Sequence, residues 1–118
     1  MTIAWKILTT DQWTTWQQAG LFAGAPVDLA DGYIHLSAEA QLAGTLDKWF
    51  AGQEGLVLAA VDLAAAEAAL PGAVRWEAAR GGALFPHVYG ALPLAVVRGH
   101  GPVARAADGA VVLPALPA

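Results

Sequence analysis

The amino-acid sequence predicts an α+β fold: a small mixed or antiparallel split β-sheet with two main helices early in the chain. Three observations carry the prediction. The helical signals fall before Gly52, whereas apolar, strand-like runs recur to the C-terminal end. Helices and strands do not alternate as they would in a doubly wound sheet. Two of the runs, "YIHLS" and "VRWEAA", alternate apolar with polar residues, the pattern of strands buried on one face. A length of 118 residues suits one domain over residues 1–118, ending in a strand and tail over 98–118, with no repeat or linker.

Taken in order, "IAWKILTT" reads as a first strand. "TTDQWTTWQQAG" reads as a helix: Thr9 with Gln12 three residues on makes a capping box, and Gly20 supplies the stop. Trp13 and Trp16, three apart, share the face that docks on the core. From Leu21 to Gly32, glycine, proline and aspartate predict a loop. "YIHLS" is the second strand, and Ser37 is predicted to cap a helix through "AEAQLAGTLDKWFAG". "GLVLAAVDL" is apolar enough for a sheet interior, followed by a short alanine-rich turn or helix closed by "LPGA". "AVRWEAA" is a further strand, "RGGALFPHVYGALP" a loop or interrupted edge, and "LAVVRGHG" and "AVVLP" late strands.

Composition narrows the function classes. The net charge is -4, and the six basic residues are scattered along the sequence, so the basic stripe of a nucleic-acid binder is missing. Without cysteine there is no disulfide framework and no thiolate zinc site. No apolar run is long enough for a bilayer, and "MTIAWKILTTDQW" lacks the features of a signal peptide. A soluble, cytoplasmic protein is the expectation. Five tryptophans are many for the length and are expected in the core or at an interface.

Three segments place chemistry-bearing side chains on strand faces. In "YIHLS", Ile34 and Leu36 face one way while Tyr33, His35 and Ser37 face the other, beside a helix N-terminus that favours anions. In "VRWEAARGG", Arg75 and Glu77 share a face, and Arg80 follows where a flexible turn could close over a ligand. In "LFPHVYG", Phe85, His87 and Tyr89 form a second aromatic–imidazole row. Each has a plain structural alternative: a satisfied core histidine, an Arg75–Glu77 surface pair, an edge-strand bend. If they converge, they build a pocket with two histidines, a carboxylate and one or two tyrosines.

That inventory excludes some mechanisms. "HLSAE" is no nucleophile elbow, and no local histidine spacing suits a metal, so none is predicted. General acid–base or electrostatic work by Glu77 fits better, with His35 and the tyrosines holding a sugar.

"DGYIHLSAEAQ", "TLDKWFAGQEGLVLAAVD", "VRWEAARGGALFPHVYG" and "LPLAVV" resemble the family catalogued as domain of unknown function 952, from about Trp5 to Val97. That family in turn resembles a compact relative of the ADP-ribosyltransferase superfamily. The resemblance implies an NAD- or nucleotide-binding cleft with glycosidic-bond chemistry and NAD as ligand or substrate. His35 would hold the ribose, Glu77 would steady the developing ribosyl cation, and Tyr89 or Tyr33 would stack on nicotinamide. Ser37, Arg80 and His87 complete the expected ligand contacts. In this sequence the glutamate precedes the "FPHVYG" tyrosine, the reverse of the superfamily's order. The rival expectation is a non-enzymatic ligand-sensing or partner-binding module with a degenerate site. A tRNA-directed 2′-phosphotransferase on the same fold would need more arginines around the pocket than the motifs supply.

Overall fold

The computed structural model describes residues 1–79 and 81–116. Its first strand, β1 (Ile3–Thr9), runs antiparallel to β4 (Leu56–Asp62), with Ile3 opposite Asp62 and Thr9 opposite Leu56. Both are nearly continuous apolar runs, and both faces of the pair are covered. Ala4, Leu8, Ala59 and Val61 face one core with Trp13, Trp16 and Phe22. Trp5, Ile7, Leu58 and Ala60 face the other with Leu42 and Leu46. The first core is closed by α1 (Thr10–Ala19), which begins and ends as its sequence dictates. The Thr9 hydroxyl accepts from Gln12 N at 3.1 Å, Gln12 Oε1 accepts from Thr9 N at 2.9 Å, and Gly20 ends the helix at φ 74°. Trp13 and Trp16 are both buried from that helix, their rings 5.5 Å apart edge to face.

Leu21 to Gly32 is not a plain loop. It contains β2 (Leu21–Phe22) and a short helix, α2 (Pro26–Asp31), which Pro26 opens and Gly32 closes at φ 89°. Next come β3 (Ile34–His35), a 3₁₀ turn (Glu39–Gln41) and α3 (Leu42–Trp49), so the single helix expected after Ser37 is two pieces. Ser37 caps neither. Its hydroxyl lies 3.2 Å from Thr45 Oγ1, and the N-cap residue of the turn is Ala38, whose own N–H donates to Gln41 Oε1. The chain continues through α4 (Leu63–Ala69), β5 (Val74–Ala78), β6 (Leu84–Val88), β7 (Leu92–Pro93), β8 (Val97–Pro102), β9 (Ala104–Arg105) and β10 (Val111–Val112). Two main helices were expected early; α2 is additional, and α4 is the helix of the alanine-rich turn or helix expected before "LPGA".

Two three-stranded antiparallel sheets dominate, β1–β4–β8 and β3–β6–β5, with small ribbons β2–β7 and β9–β10. The large sheets meet through one bridge, where Trp5 N donates to Ser37 O at 2.7 Å and Ser37 N to Trp5 O at 2.9 Å. Pro86 explains why the junction is so short. An edge position or a bend was expected for the proline; β6 is a central strand, which removes the edge alternative. Leu36 N donates to Pro86 O at 3.0 Å, but proline has no N–H to return that bond to Leu36 O. The β3–β6 ladder therefore ends, the chain crosses to β1 at Ser37, and a split opens between the sheets. Among the described residues, no helix is long and apolar enough to cross a membrane.

Candidate functional site

The split is organised by an aspartate that loop-like composition conceals. Asp28, on α2, is 2% exposed, and its carboxylate gathers donors from three segments. Lys6 Nζ lies 2.9 Å from Oδ2, Ala25 N donates to Oδ2 at 2.8 Å, and His35 N donates to Oδ1 at 3.1 Å. His35 Nδ1 lies 2.7 Å from Oδ1. Gly24 makes the approach sterically feasible: a Cβ there would stand 2.8 Å from Asp28 Cβ, and its φ of 131° disfavours other residues. Lys6, 5% exposed, spans the split and also donates to His35 O at 3.0 Å. The sequence held a signal for it that went unread. A lysine between Ala4 and Leu8, on an inward face of a buried strand, demands a carboxylate partner.

Burial opposes ionisation of Asp28, but hydrogen bonding from His35 and the adjacent Lys6 ammonium outweigh it and bring the carboxyl down to about 2. Burial lowers Lys6 from the ordinary lysine value, and Asp28 limits the fall. An ionised Asp28 only accepts, so His35 Nδ1 carries the proton and donates. The ring's other nitrogen, Nε2, is 2.9 Å from Asp31 Oδ2 at the more exposed end of α2. His35 is thus fixed from behind by one carboxylate and meets a second in front.

A depressed carboxyl stabilises the fold above its unfolded pKa of 3.8, and that contribution disappears as pH falls toward about 2. The drop amounts to about 2 kcal/mol for Asp28. Urea midpoints measured from pH 5 to pH 2 should therefore fall more steeply for the wild type than for Asp28→Asn. Parallel acid limbs would contradict this assignment.

Beside His35 the sheet brings the other expected residues together. His35 and His87 are register partners on β3 and β6, their rings 5.4 Å apart. Tyr33 stacks on His87 at 4.2 Å, tilts over His35 at 4.7 Å and lies 5.2 Å from Tyr89. Glu77 Oε1 lies 2.8 Å from His87 Nδ1 and accepts from Tyr89 OH at 2.7 Å. Those two hydrogen bonds hold the Glu77 carboxyl below its ordinary range, and the bond to Glu77 raises the Tyr89 phenol. Arg75 lies over the Tyr89 ring at 4.7 Å. Arg80 lies outside the described residues.

A cavity of about 530 Å³ fills the split. Tyr33, His35, Ser37 and His87 line it, as do Asp31, Trp5 and Trp49. Glu77 and Tyr89 do not line it; they lie behind His87, and Tyr89 instead borders a second hollow with Arg75. The sequence reasoning missed Asp28, Lys6, Asp31 and Trp49. Among the described residues no three His, Asp or Glu side chains group as metal ligands.

The family model described as "Protein of unknown function (DUF952)" matches residues 7–100. This chain belongs to the DUF952 family. It is similar to the X-ray structure of CC0527 from Caulobacter crescentus, with 42% identity over 94% of each chain and a TM-score of 0.81. The solution NMR structure of CC0527 is 45% identical, covering 94% of this chain and 91% of that one, with a TM-score of 0.74. No curated protein matches the chain. The DUF952 fold in this chain is α+β with antiparallel sheets.

Proposed function

We propose that this DUF952 chain binds a nucleotide of the NAD type by its ribosyl end, within the split between β1 and β3. One observation supports the reading above the rest. Asp28 fixes the His35 ring, so that Nε2 and Asp31 Oδ2 stand side by side, 2.9 Å apart, at the cavity wall. A ribose presents two neighbouring hydroxyls, each donor and acceptor, which suits an imidazole nitrogen paired with a carboxylate oxygen. The cavity volume falls within the range of small-molecule sites. The resemblance to the ADP-ribosyltransferase superfamily points the same way, since its strand histidine holds ribose.

Binding is put ahead of glycosidic-bond transfer because of where the acids lie. Stabilising a ribosyl cation needs a carboxylate at the reacting carbon. Asp31 lines the cavity, whereas Glu77 bonds to the far side of the His87 ring. Glu77 is therefore read as a residue that positions His87, and Ser37 as part of the wall. Phosphate is not assigned to the turn after Ser37, a single 3₁₀ turn that carries Glu39.

Calorimetric titration with NAD and ADP-ribose, on the wild type and on His35→Ala, tests the reading. NAD should bind, and His35→Ala should weaken it at least about tenfold, or about 1.4 kcal/mol. A circular-dichroism spectrum must show the variant folded. Absence of heat from both ligands with the wild type would remove nucleotide binding from consideration.

A further inference from the structure

We infer that the cavity selects an organic monocation, a quaternary ammonium or a planar ring bearing positive charge, and that Trp49 is its stacking platform. The inference rests on the ligand-binding reading of the same cavity and adds the charge of the portion that enters. Two features of the walls carry it. First, they are aromatic: Trp5, Tyr33, Trp49, Phe50 and Phe85 all line the space. Aromatic faces are negative and attract a cation, more strongly where water is excluded. Second, the charges at the wall do not suit an anion. Lys6 is the only lysine or arginine among the described lining residues, and it is committed to Asp28 and the His35 carbonyl. Among the described residues, Lys6, His35 and His87 supply at most three positive charges against the three carboxylates they contact, Asp28, Asp31 and Glu77. An entering anion finds no net attraction; an entering cation meets ring faces and the partly exposed Asp31.

Trp49 stands out among the rings by its exposure, and two of the others are engaged elsewhere. Tyr33 stacks on His87 and leans on Tyr89, so little of its ring is left for a ligand. Trp5 is 3% exposed and packed in the core. Trp49, at the C-terminal end of α3, is 67% exposed although it is a large apolar residue at a cavity wall. Lys48 Nζ lies 5.2 Å from the ring centroid, a contact that an entering cation has to replace.

Pairs of probes that differ only in charge test this directly. Choline and its uncharged carbon isostere 3,3-dimethylbutan-1-ol form one pair, and 1-methylnicotinamide and nicotinamide form the other. Titrations followed by calorimetry should show at least one cation binding about tenfold or more tightly than its neutral counterpart. Trp49→Leu and Asp31→Asn should each shrink that preference to about threefold or less, with the urea midpoint of Trp49→Leu close to wild type. Equal affinity within both pairs, or no binding by either cation, overturns the inference. Preference retained in both variants overturns the assignment of the platform. Binding of NAD, measured separately, decides the nucleotide reading: NAD bound without charge discrimination leaves that reading standing and removes only this one.

Discussion

Replacing Asp28 by alanine should lower the unfolding free energy by about 3–5 kcal/mol, because it strands an ammonium in the interior. In the native chain Lys6 Nζ is satisfied by Asp28 and by the His35 carbonyl. Without the carboxylate, one carbonyl remains, while Ala25 N, His35 N and His35 Nδ1 each lose an acceptor. Removing the other partner is gentler. Lys6→Met leaves a buried carboxylate that keeps its bonds from Ala25 and His35, so its cost should be the smaller of the two. Against a typical domain stability of about 5–15 kcal/mol, the Asp28 loss is large enough to appear as reduced yield as well as a reduced urea midpoint. A loss below about 1 kcal/mol for Asp28→Ala, or a greater loss for Lys6→Met, would mean that the pair does not brace the split.

The same pair shows where sequence reasoning succeeds and where it stops. The α1 capping box is written in adjacent residues and decided by backbone geometry alone, so Thr9, Gln12 and Gly20 could be placed without any tertiary knowledge. Strand alternation likewise puts Tyr33, His35, His87 and Glu77 on one face, and the ring stacking and hydrogen bonds of that face follow once β3, β6 and β5 are neighbours. Asp28 resisted because a run of glycine, proline and aspartate reads as loop, and its partner is twenty-two residues away. Pro86 resisted for a different reason. Proline ordinarily marks an edge, but here Pro86 N would face the neighbour where the ladder ends, so a central strand tolerates it. Ser37 misled because a hydroxyl before a helical run usually caps; the bridge to Trp5 holds its backbone for another purpose. The residues whose roles depend on two distant segments were the ones that local pattern could not assign.

Trp5→Ala and Trp16→Ala should cost the fold about the same, roughly 3–5 kcal/mol each, and yet differ in what they do to binding. Both indoles are buried, Trp5 at 3% and Trp16 at 1% exposure. They fill opposite sides of the central strands: Trp16 packs with Phe22 beneath α1, its ring stacked at 4.9 Å, whereas Trp5 packs with Leu42 and Leu46 beneath α3. Only Trp5 also forms a wall of the cavity. If the split is the binding site, Trp16→Ala retains ligand affinity within about threefold at temperatures where it is folded, and Trp5→Ala loses it. Trp5→Phe separates the two roles of that side chain: a ring of smaller area restores much of the packing while changing the shape of the wall. Urea midpoints and calorimetric titration of the three variants give the comparison. Equal loss of binding in Trp5→Ala and Trp16→Ala would tie affinity to stability in general rather than to the cavity wall. Retention in both would move the site away from the split altogether.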